Sequence, residues 1–339
     1  PFAGFSMPIN FKYGIIKEHL HTRNKCGMFD ISHMGQMLIL YNDKNLNKLE
    51  NIIPHDLKSL KYNQSIYSFI LNSNGCIIDD LIISKVKIES IYHLLFIYNA
   101  SRKSIDEKII SSIIENIEIL NNNSLIALQG PMSYEIISTI FPETSNLSFM
   151  EINTYKYNNK NILISRSGYT GEDGFELSIP NSEVENIVNI LHKHNNVICC
   201  GLGSRDSLRL EAGLCLYGNE LTEEISPIEA NLKWAIPKSR LYKGNFLGSK
   251  RILNDIQNGT IQKRIGVKSL TKSIIRSKMT LHNNKGQKIG RITSGGFSPS
   301  LNISIGMGYL ENKYLKNKSD IFCLIRECDM CKLFCFPSR

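Results

Sequence analysis

Long apolar runs are missing from this chain of 339 residues. None approaches the roughly 20 unbroken apolar residues that a membrane-spanning helix needs, so no membrane partner is expected. Blocks of lysine and arginine interleaved with aromatics are missing too. The 40 basic residues outnumber the 31 acidic ones, for a formal net charge of +9. They are spread along the chain, which favours an acidic partner or ligand tail over a nucleic-acid groove. No internal repeat occurs, which leaves out solenoids. The nine cysteines lack the density of a secreted disulfide framework. Cys26, Cys76, Cys199, Cys200 and Cys215 have apolar neighbours and read as reduced, buried thiols. Near the end come Cys323, Cys328, Cys331 and Cys335, with one C-x-x-C and no matching second pair, so no metal is predicted. Pro1 stands where an initiator methionine would, and a processed form or a fragment is expected.

Hydrophobic residues make up 42% of the chain and charged ones 21%. That is enough to bury a core larger than one small domain, and two or three domains are expected. Residues 11 to 21 have helical spacing, and 27–31 and 37–40 read as strands around the turn Ser32-His33-Met34-Gly35. Three β-rich runs, 67–71, 80–88 and 92–98, form a meander whose first turn is marked by Ser73-Asn74-Gly75. An amphipathic helix over 104–117, a strand over 124–128 and a helix restarting after Pro131 follow. Strands at 162–164 and 176–179 flank a glycine-rich stretch, and 182–194 is helical. Beyond Trp234, short strands with frequent glycines suggest a separate small barrel or sandwich, joined by a polar linker around 249–262.

Three segments carry chemistry. Asp79 and Asp80 enter an apolar strand, and alternation turns them to opposite faces, so one of them can enter a given pocket. A carboxylate there accepts a proton, orients an amine or stabilises a cation; otherwise both acids simply solvate a turn. In Gly168-Tyr169-Thr170-Gly171-Glu172-Asp173-Gly174-Phe175-Glu176, the glycines bring main chain close to a flat ligand that Tyr169 caps. The glycines lead into a strand, unlike those of a dinucleotide loop. Glu176 suits a ligand edge with two parallel N–H donors, as in a pterin, or else is an exposed edge residue. Arg205 and Arg209 lie one turn apart on a helix beginning at Ser204. One is suited to a ligand carbonyl or carboxylate and the other to Glu211 or a neighbouring strand, unless both only satisfy loop carbonyls.

These segments, together with Phe2-Ala3-Gly4-Phe5-Ser6-Met7-Pro8, Phe29-Asp30-Ile31-Ser32-His33-Met34, Ala127-Leu128-Gln129-Gly130-Pro131, Tyr217-Gly218-Asn219 and the run from Thr293 to Leu301, resemble the aminomethyltransferases, or T-proteins, of the glycine cleavage system. The resemblance implies an α+β fold: a three-domain folate-binding cloverleaf with a C-terminal small β-barrel. Its divisions would be residues 1–48 with 120–238, 49–119, and 239–339. It implies transfer of the one-carbon unit from the aminomethyl group on lipoylated H-protein to tetrahydrofolate, with release of ammonia and in concert with the other glycine cleavage components. Carried over by position, Asp80 would be the catalytic carboxylate. Glu176 would hold the pterin edge, Tyr169, Arg205, Tyr67 and Asn99 would line the pocket, Met34 would close over it, and Arg339 would touch the folate tail. The implied setting is the mitochondrial matrix. Iron–sulfur scaffold relatives carry K-G-C-[YF]-x-G-Q-E where this chain has the glycine stretch, and folate modules of flavin demethylases follow a flavin domain that this sequence lacks. A non-catalytic folate-binding scaffold and a detached demethylase module are therefore the two alternatives.

Overall fold

A computed structural model describes residues 2–315, 321–326 and 329–337. Arg339 and Cys328 lie outside the described residues. Two compact units emerge, one of residues 1–70 with 79–206 and one of 71–78 with 207–339.

The elements of the first unit, in chain order, are α1 (Ile15–Asn24), β1 (Cys26–Asp30), β2 (Gly35–Leu40), α2 (Asp43–Ile52), β3 (Ser65–Leu71), β4 (Ile77–Ile88), β5 (Ile91–Tyr98), α3 (Lys103–Ile113), β6 (Ile117–Ile119), β7 (Asn123–Gln129), α4 (Ser133–Ile137), β8 (Ile152–Tyr157), β9 (Lys160–Ser165), β10 (Gly174–Pro180), α5 (Asn181–His192) and β11 (Val197–Cys199), with α6 (Leu202–Glu211) crossing into the second. One sheet runs β11-β1-β7-β10-β9-β8 and the other β3-β4-β5-β2-β6. The expected meander is there as β3-β4-β5, and β2 joins it from earlier in the chain by pairing Gly35–Leu40 with His93–Tyr98.

The first helix starts at Ile15, four residues later than helical spacing suggested. Gly14 precedes it with φ 76°, a left-handed value that stops the helix from extending backwards. Leu128, Ile137, Phe175, Leu177, Ile187 and Leu191 pack the first sheet against its helices with essentially no exposure. Each such side chain contributes about 1.5–3 kcal/mol by leaving water.

The second unit holds α7 (Lys238–Lys243), α8 (Ser249–Asn258) and strands β12 (Gln262–Ser269), β13 (Thr280–His282), β14 (Lys288–Ser298), β15 (Ile303–Glu311), β16 (Ile321–Arg326) and β17 (Asp329–Pro337). The six strands close as β12-β15-β14-β13-β16-β17, a barrel rather than a sandwich. Ile265, Val267, Leu281, Ile292 and Leu310 fill it. The polar linker expected around 249–262 is instead α8. Ser249, Ile252 and Asp255 recur every three residues on its buried face, and Gly248 and Gly259 bound it in positive-φ conformations.

Candidate active site

Asp79 and Asp80 enter β4 with alternating burial: Asp79 is 0% exposed and Asp80 is half-buried. Alternation gives them different burial, yet a single amide reaches both. The β4–β5 ladder pairs Leu81 with Tyr98, which sets Asn99 just past the end of β5, beside Asp80. From there the Asn99 Nδ2 donates to Asp79 Oδ1 and Asp80 Oδ1, each at 2.9 Å. Its backbone N–H donates to Asp79 Oδ2 at 3.0 Å. Asp80 Oδ2 accepts the Tyr67 hydroxyl at 2.9 Å, and Tyr67 stands edge-on to Phe69. Two adjacent acids therefore share one amide, while Asp80 alone has a phenol.

Burial pushes the Asp80 carboxyl up to about 7. A negative charge on the neighbouring Asp79 pushes it the same way, and the Tyr67 and Asn99 donors oppose. Asp79 is raised further, first by burial and then by Asp106. Asp106, in the first turn of α3 and 0% exposed, is raised to about 7, chiefly by burial. An acid that titrates near 7 both takes and gives a proton at neutral pH.

A second group gathers around the glycine stretch. Gly171 turns it at φ 83°, but Gly168 and Gly174 serve packing rather than a ligand. A Cβ on either would fall 1.8 Å or 2.3 Å from the Gln129 amide, which donates to the Ser167 carbonyl and accepts from Thr170. Two of the three acids in the stretch are already paired. Glu172 meets Arg23 at 2.9 Å, and Asp173 meets Arg166 through two bonds of 2.9 and 2.7 Å. Among the described residues, the Glu176 carboxylate on β10 accepts a serine hydroxyl, Ser167 Oγ at 2.9 Å.

Arg205 on α6 stacks over the Tyr169 ring, 4.8 Å from its centroid. Its Nη1 is buried without a hydrogen-bond partner. Burial works against its charge, and Glu176 and Tyr169 favour it. Arg209, one turn on, pairs with Glu220. Glu211 accepts from Ser298 and Ser300.

The structure thus draws the expected residues into two groups, Asp80 with Tyr67 and Asn99, and Glu176 with Arg205 and Tyr169. Met34 is half-buried in the turn after β1, its N–H bonded to the Ile31 carbonyl. Next to it is a residue that sequence reasoning passed over. His33 is 4% exposed and its Nδ1 lacks a partner. Burial, then the nearby Arg205, pushes it down to about 4, so it is neutral at pH 7. Phe2 stands edge-on to its ring. Asp106 was missed as well, since in sequence it is one polar residue on an amphipathic helix. A cavity of about 280 Å³, lined by Phe11, Met28, Ile126 and Val188 among others, contains none of the expected site residues. Among the described residues no group of His, Cys, Asp and Glu is arranged to hold a metal.

A carboxyl poised near neutrality is suited to moving a proton, and a buried arginine stacked on a tyrosine and a lightly engaged glutamate are suited to holding a polar ligand. Family comparison makes this particular. Residues 1–240 match the GCVT N-terminal domain and 263–332 the glycine cleavage T-protein C-terminal barrel domain. The mitochondrial aminomethyltransferase of Flaveria pringlei is 37% identical over 341 residues, covering 96% of this chain and 82% of that protein. The aminomethyltransferase of Thermoanaerobacter pseudethanolicus is also 37% identical, covering 96% and 89%. The crystal structure of glycine cleavage system aminomethyltransferase T from Bartonella henselae superposes with a TM-score of 0.91 at 36% identity, covering 98% of this chain and 91% of that one. The chain belongs to the aminomethyltransferase family of glycine cleavage T-proteins.

Proposed function

We infer that the protein transfers the one-carbon unit of the aminomethyl group on lipoylated H-protein to tetrahydrofolate. Ammonia, dihydrolipoyl H-protein and 5,10-methylenetetrahydrofolate are the products. Tetrahydrofolate supplies the two nitrogens that accept the carbon. The observation that carries this reading is Asp80, a half-buried acid near neutrality held by Tyr67 and Asn99. As a carboxylate it stabilises positive charge on nitrogen while the carbon–nitrogen bond breaks, and it takes or returns the proton that lets ammonia leave neutral.

Glu176 holds the paired N–H donors of the pterin edge, and Ser167 fixes its orientation. Arg205 offers its buried, unpartnered Nη1 to a ligand oxygen, steadied by Tyr169. Met34 closes the pocket. The net charge of +9 suits an acidic lipoyl partner through electrostatic steering. In this reading the chain divides as 1–48 with 120–238, 49–119 and 239–339, which the two sheets and the closed barrel support. It works in the mitochondrial matrix, a reading supported by relatives such as the one from Flaveria pringlei, which is named as mitochondrial.

The test is turnover of aminomethylated H-protein with tetrahydrofolate, following ammonia and methylenetetrahydrofolate, in wild type and Asp80→Asn. Losing a positioned acid–base group costs about 10²–10⁴-fold, and a loss of that size is the expected result. Equal turnover in the two proteins removes Asp80 from the mechanism. No turnover in wild type, with tetrahydrofolate still bound, would leave a folate-binding scaffold.

A further inference from the structure

Asp106 is 0% exposed, and neither of its carboxyl oxygens receives a hydrogen bond. An unpaired buried carboxylate is costly, and the usual escape is to bind a proton or share one. The group that faces it is another acid, Asp79. Written as two carboxylates, neither has a hydrogen to offer the other. A single proton between them supplies the missing donor and removes one of two like charges.

The surrounding charges indicate which acid keeps the proton. Asp79 lies between two acids, Asp80 on its own strand and Asp106 on α3. Asp106 has a hydrogen bond from Asp79, once that acid is protonated, and the charge of Arg102 to favour its anion, while Asp80 and Glu107 oppose, and Glu107 is itself tied by the Tyr98 hydroxyl at 2.8 Å. From β3, Tyr67 serves Asp80, and Lys103 at the start of α3 feels Glu107. Asn99 gives Asp79 two hydrogen bonds that favour its anion, but burial and the charge and hydrogen bond of Asp106 outweigh them.

We propose that Asp106 is a positioning residue that accepts a hydrogen bond from a protonated Asp79, so that of the adjacent acids on β4 only Asp80 carries charge. The proposal rests on Asp80 as the working carboxylate. It explains how two neighbouring acids divide their tasks: Asp79 is a neutral strut between Asn99 and Asp106, and Asp80 titrates alone.

The test is carboxyl-carbon NMR of the full chain labelled at aspartate, titrated with pH in wild type, Asp106→Asn and Asp79→Asn, beside the pH profile of transfer. In wild type, one acid of the cluster stays protonated above the Asp80 transition. Asp106→Asn removes the acceptor and the like charge, so Asp79 ionises, and its new charge moves the Asp80 transition up by about one pH unit. The acidic limb of the transfer profile moves with it. Asp79→Asn imitates the neutral acid and leaves the Asp80 transition in place. A clear fall of that transition in Asp79→Asn means that Asp79 was charged, which overturns the proposal. So does an Asp80 transition that stays put in Asp106→Asn. The NMR readout stands even if transfer is absent, so failure of the functional reading and failure of this one are told apart.

Discussion

Each unit buries a cluster of charged side chains, and the two are built on opposite rules. In the second unit Arg209 and Glu220, 1% and 0% exposed, meet at 2.9 Å. Arg209 also donates to Ser294 and the Leu214 carbonyl, and Glu220 accepts from Thr293 and the Leu216 N–H. In the first unit Asp79, Asp80 and Asp106 lie together, and two oxygens of the cluster have no donor. Opposite charges with every partner in place hold a barrel to the segments beside it in sequence. Like charges short of donors hold protons, and a site that must move a proton at neutral pH is made of the second kind.

The largest effect on stability should come from the paired cluster. Glu220→Gln leaves the Arg209 guanidinium buried without its counter-charge, and breaking one side of such a pair costs about 3–5 kcal/mol. Urea unfolding followed at pH 7 measures it. A cost under about 1 kcal/mol would mean that the pair is no more than a surface contact, and the contrast with the acid cluster would collapse.

The acid cluster should respond with the opposite sign. Its three acids are raised in the folded state, Asp80 to about 7, from an ordinary value of 3.8. Folded protein therefore holds more protons than unfolded chain between those values. The contribution is complete below about pH 4 and is lost as pH rises through 7 and on to about 9, where Asp79 ionises. Asp106→Asn should flatten that loss and gain on the order of 1 kcal/mol at pH 8 relative to wild type. Melting temperatures of the two proteins between pH 5 and pH 9 decide it, and parallel curves would remove the like-charge cluster from the comparison.

The two clusters also differ in how far the sequence revealed them. Asp79 and Asp80 announce themselves, because adjacent acids at the entry to an apolar strand have no packing reason. Asp106 does not, because on α3 it follows the ordinary pattern of a solvated helix face, and only the fold turns that face toward β4. The glycine stretch misled in part. Gly168 and Gly174 read as room for a ligand, while the room is taken by Gln129, 39 positions from the first by number, and such a distant side chain leaves no local signal. Glu172 and Asp173 likewise find Arg23 and Arg166, which leaves Glu176 as the acid of that stretch to weigh for a ligand. Strand runs were legible to within a few residues because alternation and β-branching persist over each. Helix α8 was not, since three buried positions among polar and charged residues resemble a linker.

A third charged group gives the smallest effect and the sharpest control. Arg251 on α8 contacts Asp255 at 3.0 Å and Glu229 at 3.4 Å, and it is 41% exposed where its two partners are 6%. By sign it resembles the Arg209–Glu220 pair, but by exposure it lies between a buried bridge and a surface one. Its acids also have other donors: Ser226 serves both, and Gln262 serves Glu229. Arg251→Ala therefore leaves those carboxylates hydrogen-bonded and open to water through the vacated space, and about 1 kcal/mol is expected. Denaturant unfolding at low and at high salt measures it, with the smaller loss at high salt because an exposed cation is screened. A loss as large as that of Glu220→Gln would mean that charge pairing alone, and not the completeness of burial, sets the difference between the clusters.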